Sequence, residues 1–78
     1  MSESADRLVR MANDIAKNLA VMGGGDAAKA TAEHIDLFWA PSMQAKAIEL
    51  MRGGNAGFND TARSALELLA ERTGHPAG

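Results

Sequence analysis

Apolar residues recur at spacings of three and four along most of this chain, the period of a helix with one buried face. Leu8, Met11, Ala12, Ile15, Leu19 and Met22 form the first such stripe, with Arg10, Asn13, Asp14 and Lys17 opposite. The pattern predicts a helix that starts after Ser2 or Ser4, either of which can cap free N–H groups, and ends at Gly23-Gly24-Gly25. Asp26 is placed to cap a second helix running to about Trp39. In it, Ala28, Ala32, Ile35 and Trp39 follow one line, and Thr31, His34 and Phe38 a neighbouring one. An apolar arc that wide on a short helix implies two packing neighbours. A third helix starts near Pro41 or Ser42, carries Met43, Ala47, Leu50 and Met51 as its stripe, and stops at Gly53-Gly54. A fourth is capped by Asn59 or Asp60, with Phe58 packing back over its first turn, and buries Ala62, Ala65, Leu66 and Leu69 before Gly74. Sustained alternation of apolar and polar residues is missing, so the expected class is all-α: a small bundle of four helices joined by glycine-rich turns.

The stretch His34 to Met43, HIDLFWAPSM, punctuates this pattern. It holds two of the three aromatic residues, Phe38 and Trp39, and one of the two prolines, Pro41. Helical neighbours point about 100° apart, so Phe38 and Trp39 cannot share one narrow face. Pro41 disfavours helical geometry at Ala40 and suits the first position of a new helix. The stretch reads as helix, corner, helix. Four apolar positions fall off the stripes: Val21, Ile48, Leu68 and one of Phe38 or Trp39. They are candidates for an outward contact surface, against the plainer reading that scattered surface apolar residues are ordinary.

Length sharpens the picture. With 78 residues the chain is one helical domain over 1–78, with 1–5 and 74–78 expected to fray. A chain of this size buries only roughly 60% of its unfolded surface, so its core is lean. Small domains compensate through disulfides, a metal or association. There is no cysteine, and two histidines without cysteine argue against structural zinc, which leaves association with a larger partner, although a lean four-helix fold can also stand alone. The net charge of −2 comes without blocks of like charge, so no nucleic-acid footprint is expected. No run approaches the ~20 apolar residues of a membrane span, and the first ten residues do not form a secretory signal. A cytoplasmic protein is the expectation.

The candidate chemistry is thin. Gly23 to Ala28 matches a loose G-x-G-x-x-A pattern, but it follows a helix where a dinucleotide loop must follow a strand, so a turn is the better reading. His34 lies between Glu33 and Asp36, which point to different sides of the helix and build no metal site. Ser42 and Ser64 have no nucleophile signature, and Glu67 and Glu71 share a solvated face with Arg63. Residues alone argue against an enzyme and for a helical protein that depends on a partner.

Two segments go further. Arg7 to Ala16, RLVRMANDIA, resembles the opening of the delta subunit family of NAD-dependent formate dehydrogenase, which carries a V/I-x-M-A-N-x-I-A motif. About twenty residues on, that family has a histidine, an aromatic pair, a proline and a methionine, matched here by His34, Phe38, Trp39, Pro41 and Met43. The resemblance covers roughly residues 7–52 well and the rest loosely. Asp14, Ala40, Ser42 and Gln44 depart from the glutamine, acidic and arginine residues common there, so contacts made through those charges are not carried over.

The resemblance implies a small accessory subunit without a cofactor of its own, in a cytoplasmic complex that oxidises formate to CO2 and passes electrons to NAD. The large alpha subunit would carry molybdenum or tungsten on two pterin guanine dinucleotides, plus iron–sulfur clusters; beta and gamma subunits would carry FMN and further clusters. The delta subunit's suggested part is to stabilise the complex or assist cofactor maturation of the large subunit. Partner-binding candidates are Asn13, His34, Phe38, Trp39, Pro41 and Met43, each with an intramolecular role as the alternative. Trp39 is either the docking anchor or the centrepiece of the core. The competing function is a free-standing helical adaptor or regulator that binds some other protein.

Overall fold

In a computed structural model the described residues are 3–21, 26–54 and 57–73. Among them the chain forms four helices and no strand: α1 (Glu3–Val21), α2 (Ala27–Phe38), α3 (Pro41–Arg52) and α4 (Asp60–Thr73). The glycine stop after α1, Gly74 and the capping role of Ser2 lie outside the described residues. α1 begins at Glu3, inside the stretch expected to fray, and Ala5 is already buried.

The helix ends follow local chemistry. The Asp26 carboxylate accepts from the Lys29 N–H at 3.2 Å, and its carbonyl accepts from Ala30 at 3.0 Å. Asn59 Oδ1 accepts from the Ala62 N–H at 2.7 Å, so Asn59 caps α4. Pro41 occupies the first turn of α3, and Ala40 before it is extended (φ −63°, ψ 149°), as a residue preceding proline prefers. Gly53 closes α3 by donating to the Glu49 carbonyl at 2.9 Å. Gly57, just before α4, has φ +98°, a conformation that a side chain would strain.

One core joins the four helices. Leu8, Ala12 and Ala16 of α1 meet Ala32 and Ile35 of α2, Ala47, Ile48 and Met51 of α3, and Ala62, Ala65, Leu66 and Leu69 of α4, together with Trp39 and Phe58 from the connections. Most of the small positions are alanine, which lets helix backbones approach closely. The α2–α4 interface is the most extensive, and α1 touches all three other helices. α2 and α3, although consecutive, barely touch beyond their corner.

The third helix departs from its expected stripe. Ile48, assigned to the outside by the pattern, is 1% exposed. The buried line is Gln44, Ala47, Ile48 and Met51, a regular i, i+3, i+4, i+7 series whose first member is polar. α3 packs against both α1 and α4, and the arc facing them includes Ile48. Leu50 and Met43, members of the expected stripe, pack half-buried at its margins.

Candidate functional site: the corner between α2 and α3

Phe38 ends α2 and Trp39 is its C-cap. Being adjacent, they part company at the corner: Trp39 turns in and is 6% exposed, whereas Phe38 turns out and is 71% exposed. Leu37 joins Phe38 outside at 76%. His34, one turn earlier and half-buried, lies against Phe38 with ring centroids 4.7 Å apart and planes tilted by 41°. Ala40, Pro41 and Ser42 continue the exposed surface around the bend.

Electrostatics set this surface apart. From Leu37 to Ala45 the chain carries no charged side chain. Asp36, which precedes the stretch, faces Arg72 of α4 at 3.7 Å. The corner is thus an apolar, uncharged projection on a protein whose other surfaces are mixed in sign. Val21, at the end of α1, is the remaining large apolar residue that stands exposed among the described ones.

The backbone of the corner is held from beneath. Gln44, 7% exposed, projects from the second turn of α3 toward the end of α2. Its Nε2 donates to the Trp39 carbonyl at 2.9 Å, the Ile35 carbonyl at 3.3 Å and the Asp36 carbonyl at 3.4 Å. The Ile35 carbonyl also accepts from the Trp39 N–H at 2.9 Å, whereas the Asp36 carbonyl is one of those that a helix end leaves without an intrahelical partner. In the sequence Gln44 stands out only as a departure from the family's usual arginine; the signal for its burial is a polar residue in register with Ala47, Ile48 and Met51.

The remaining candidates divide. Pro41 is exposed at the corner, and Met43 is half-buried against the core. Asn13 lies elsewhere, on α1, where its amide is engaged within the chain. Its Nδ2 donates to the Gly57 carbonyl at 3.0 Å and its Oδ1 accepts from the Asn59 N–H at 2.8 Å. Asn59 Nδ2 returns a longer bond, 3.4 Å, to the Asn13 carbonyl. The structure therefore sets His34 against Phe38 at the end of α2, leaves Pro41 exposed at the start of α3, buries Trp39 between them in sequence, and uses Asn13 to fasten the entry to α4.

This chain matches the model of the family described as NADH-dependent formate dehydrogenase delta subunit FdsD over residues 7–66. The chain belongs to that family. No curated protein and no solved structure matches it. The matched span contains the Asn13 clamp, the whole α2–α3 corner with Gln44, and the first half of α4.

A concavity lies between α2 and α4, about 380 Å³ in volume, lined by Asp26, Lys29, Ala32, Glu33, Leu68 and Arg72. Its two acids and two bases oppose each other, giving no preference for a ligand of either sign. Among the described residues no group of three His, Asp or Glu side chains gathers to hold a metal ion, and no helix is long and apolar enough to cross a membrane.

Proposed function

We propose that this member of the delta subunit family is a non-catalytic accessory subunit, held in a cytoplasmic NAD-dependent formate dehydrogenase complex by its α2–α3 corner. Leu37 and Phe38 insert into an apolar depression of the large metal–pterin subunit, and His34 and Pro41 frame them. In this role the chain stabilises the large subunit or assists its cofactor maturation. The chemistry of formate oxidation, the molybdenum or tungsten, the iron–sulfur clusters, the FMN and the NAD site belong to the partner subunits.

The observation that carries this reading is the exposure of two adjacent large apolar side chains, one aromatic, in a chain whose family is named as a subunit. The buried centre of a protein interface is depleted in charge and enriched in aromatic anchors; the exposed part of the 37–45 stretch is uncharged and offers Phe38 as its aromatic. Covering a large apolar side chain contributes roughly 1.5–3 kcal/mol. Two such residues offset part of the cost of association, with the rest left to surrounding contacts.

The test is co-purification from the native host. The tagged chain is expected to elute with a large metal–pterin oxidoreductase and its flavin and iron–sulfur subunits. Because the corner lacks charge, raising salt from about 0.1 M to 1 M, which shortens the screening length to roughly 3 Å, should leave the association intact. Elution as a folded monomer from cells making the dehydrogenase would refute the proposal and favour a free adaptor.

A further inference from the structure

We infer that Gln44 is a positioning residue for docking: from inside the fold, it fixes the direction in which Leu37 and Phe38 are presented. The inference rests on the docking reading above.

α2 and α3 share almost no packing with each other; each is placed by α1 and α4, which leaves the turn between them to be ordered locally. The joint consists of two extended residues, Trp39 (φ −92°, ψ 142°) and Ala40 (φ −63°, ψ 149°). Ala40 supplies no side-chain cap to α3. Left to the backbone, the last turn of α2 would fray, as helix ends do when their carbonyls lack partners.

Two things oppose that fraying. Trp39 is anchored in the core and its N–H donates to the Ile35 carbonyl at 2.9 Å. The buried Gln44 amide donates to carbonyls on both sides of the exposed pair, those of Ile35 and Asp36 before it and that of Trp39 after it. An amide nitrogen carries two hydrogens, so the three contacts share them, and the arrangement grips a length of backbone. Leu37 and Phe38 lie within the gripped length. Gln44 is itself buried beneath the surface they form, so it acts on a partner through them. Ordering the corner in advance removes an entropic cost that would otherwise fall at the moment of binding.

The test is competitive incorporation. A variant and the wild-type chain, distinguishable by mass, are co-expressed with the other subunits of the dehydrogenase. The ratio found in the purified complex is divided by the ratio in the free soluble pool. Gln44→Met keeps the volume and removes the donors. It should be under-represented by about tenfold, a moderate effect on the scale of interface substitutions. Its free form should exchange the Trp39 amide hydrogen faster than wild type, while amides in the middle of α4 keep their protection. Gln44→Asn, one methylene shorter, is the milder lesion should Gln44→Met fail to fold, and it should be under-represented in the same direction. Phe38→Ser serves as the control for the docking reading. If Phe38→Ser is excluded and the folded Gln44 variant enters at parity, Gln44 has a structural role alone and the inference falls. If both enter at parity, the docking reading itself has failed.

Discussion

Two junctions in this protein are tied by a single amide side chain, and they present different surfaces. At the entry to α4, Asn13 holds Gly57 and Asn59, and the exposed residues there, Gly57, Asn59 and Asp60, are glycine and polar. At the α2–α3 corner, Gln44 holds Ile35, Asp36 and Trp39, and the exposed residues include Leu37 and Phe38. The clamp chemistry is the same. The first is complete in the free chain, since all it does is join α1 to α4. The second orders a stretch whose outer side is costly to leave in water. On the proposed docking role, that difference separates residues kept for the fold from residues presented to a partner.

Trp39 lies where the second junction enters the core, so removing it should have the largest effect. Trp39→Ala is expected to cost about 3–5 kcal/mol, much of the stability of so small a domain. Chemical denaturation followed by circular dichroism checks this, and a loss under about 1 kcal/mol would mean that Trp39 packs less tightly than its burial indicates.

Asn13→Ala breaks the first junction. It removes two long-range hydrogen bonds and should cost about 1–3 kcal/mol, with the loss of protection concentrated at the amides of Asn59 and the first turn of α4. Its incorporation into the complex, corrected for folded fraction, should match wild type. Selective exclusion of a folded Asn13 variant would instead make the α4 entry a docking surface and dissolve the contrast between the junctions.

Thr31 sharpens the contrast from the other side. Its hydroxyl is fully buried in α2 and has no hydrogen-bond partner. Thr31→Val removes that orphan group at nearly constant shape, and should raise stability by about 1 kcal/mol, or roughly 4–8 °C in melting temperature. A lower melting temperature would show that the hydroxyl is satisfied in solution.

The fold was largely legible because α1 and α4 are amphipathic along their length: Leu8, Ala12, Ala62, Ala65, Leu66 and Leu69 all lie in the core, where the periodicity puts them. Asp26, Asn59 and Pro41 mark helix starts by their own local chemistry. α3 was harder to read. Its buried line begins with Gln44, and a polarity pattern cannot show that an amide is buried to satisfy the carbonyls of another helix. With Gln44 left out, the stripe rotates and Ile48 falls outside. The Phe38–Trp39 pair posed a different problem. Periodicity shows that the two must diverge, but which one turns inward depends on how α2 meets α1 and α4, which adjacent residues do not encode. Asn13 belonged to a recognisable motif, yet its partners lie more than forty residues away in sequence.

The most direct test of the central claim pairs two readings of one double substitution, Leu37→Ser with Phe38→Ser. Both side chains are mostly in water in the free chain, so stability should change by no more than about 1 kcal/mol for the two substitutions together. Association with the dehydrogenase, measured by competitive incorporation against the wild-type chain, should fall by about a hundredfold or more, as expected when central apolar anchors are lost. A folded double variant that enters the complex at parity with wild type would contradict the account.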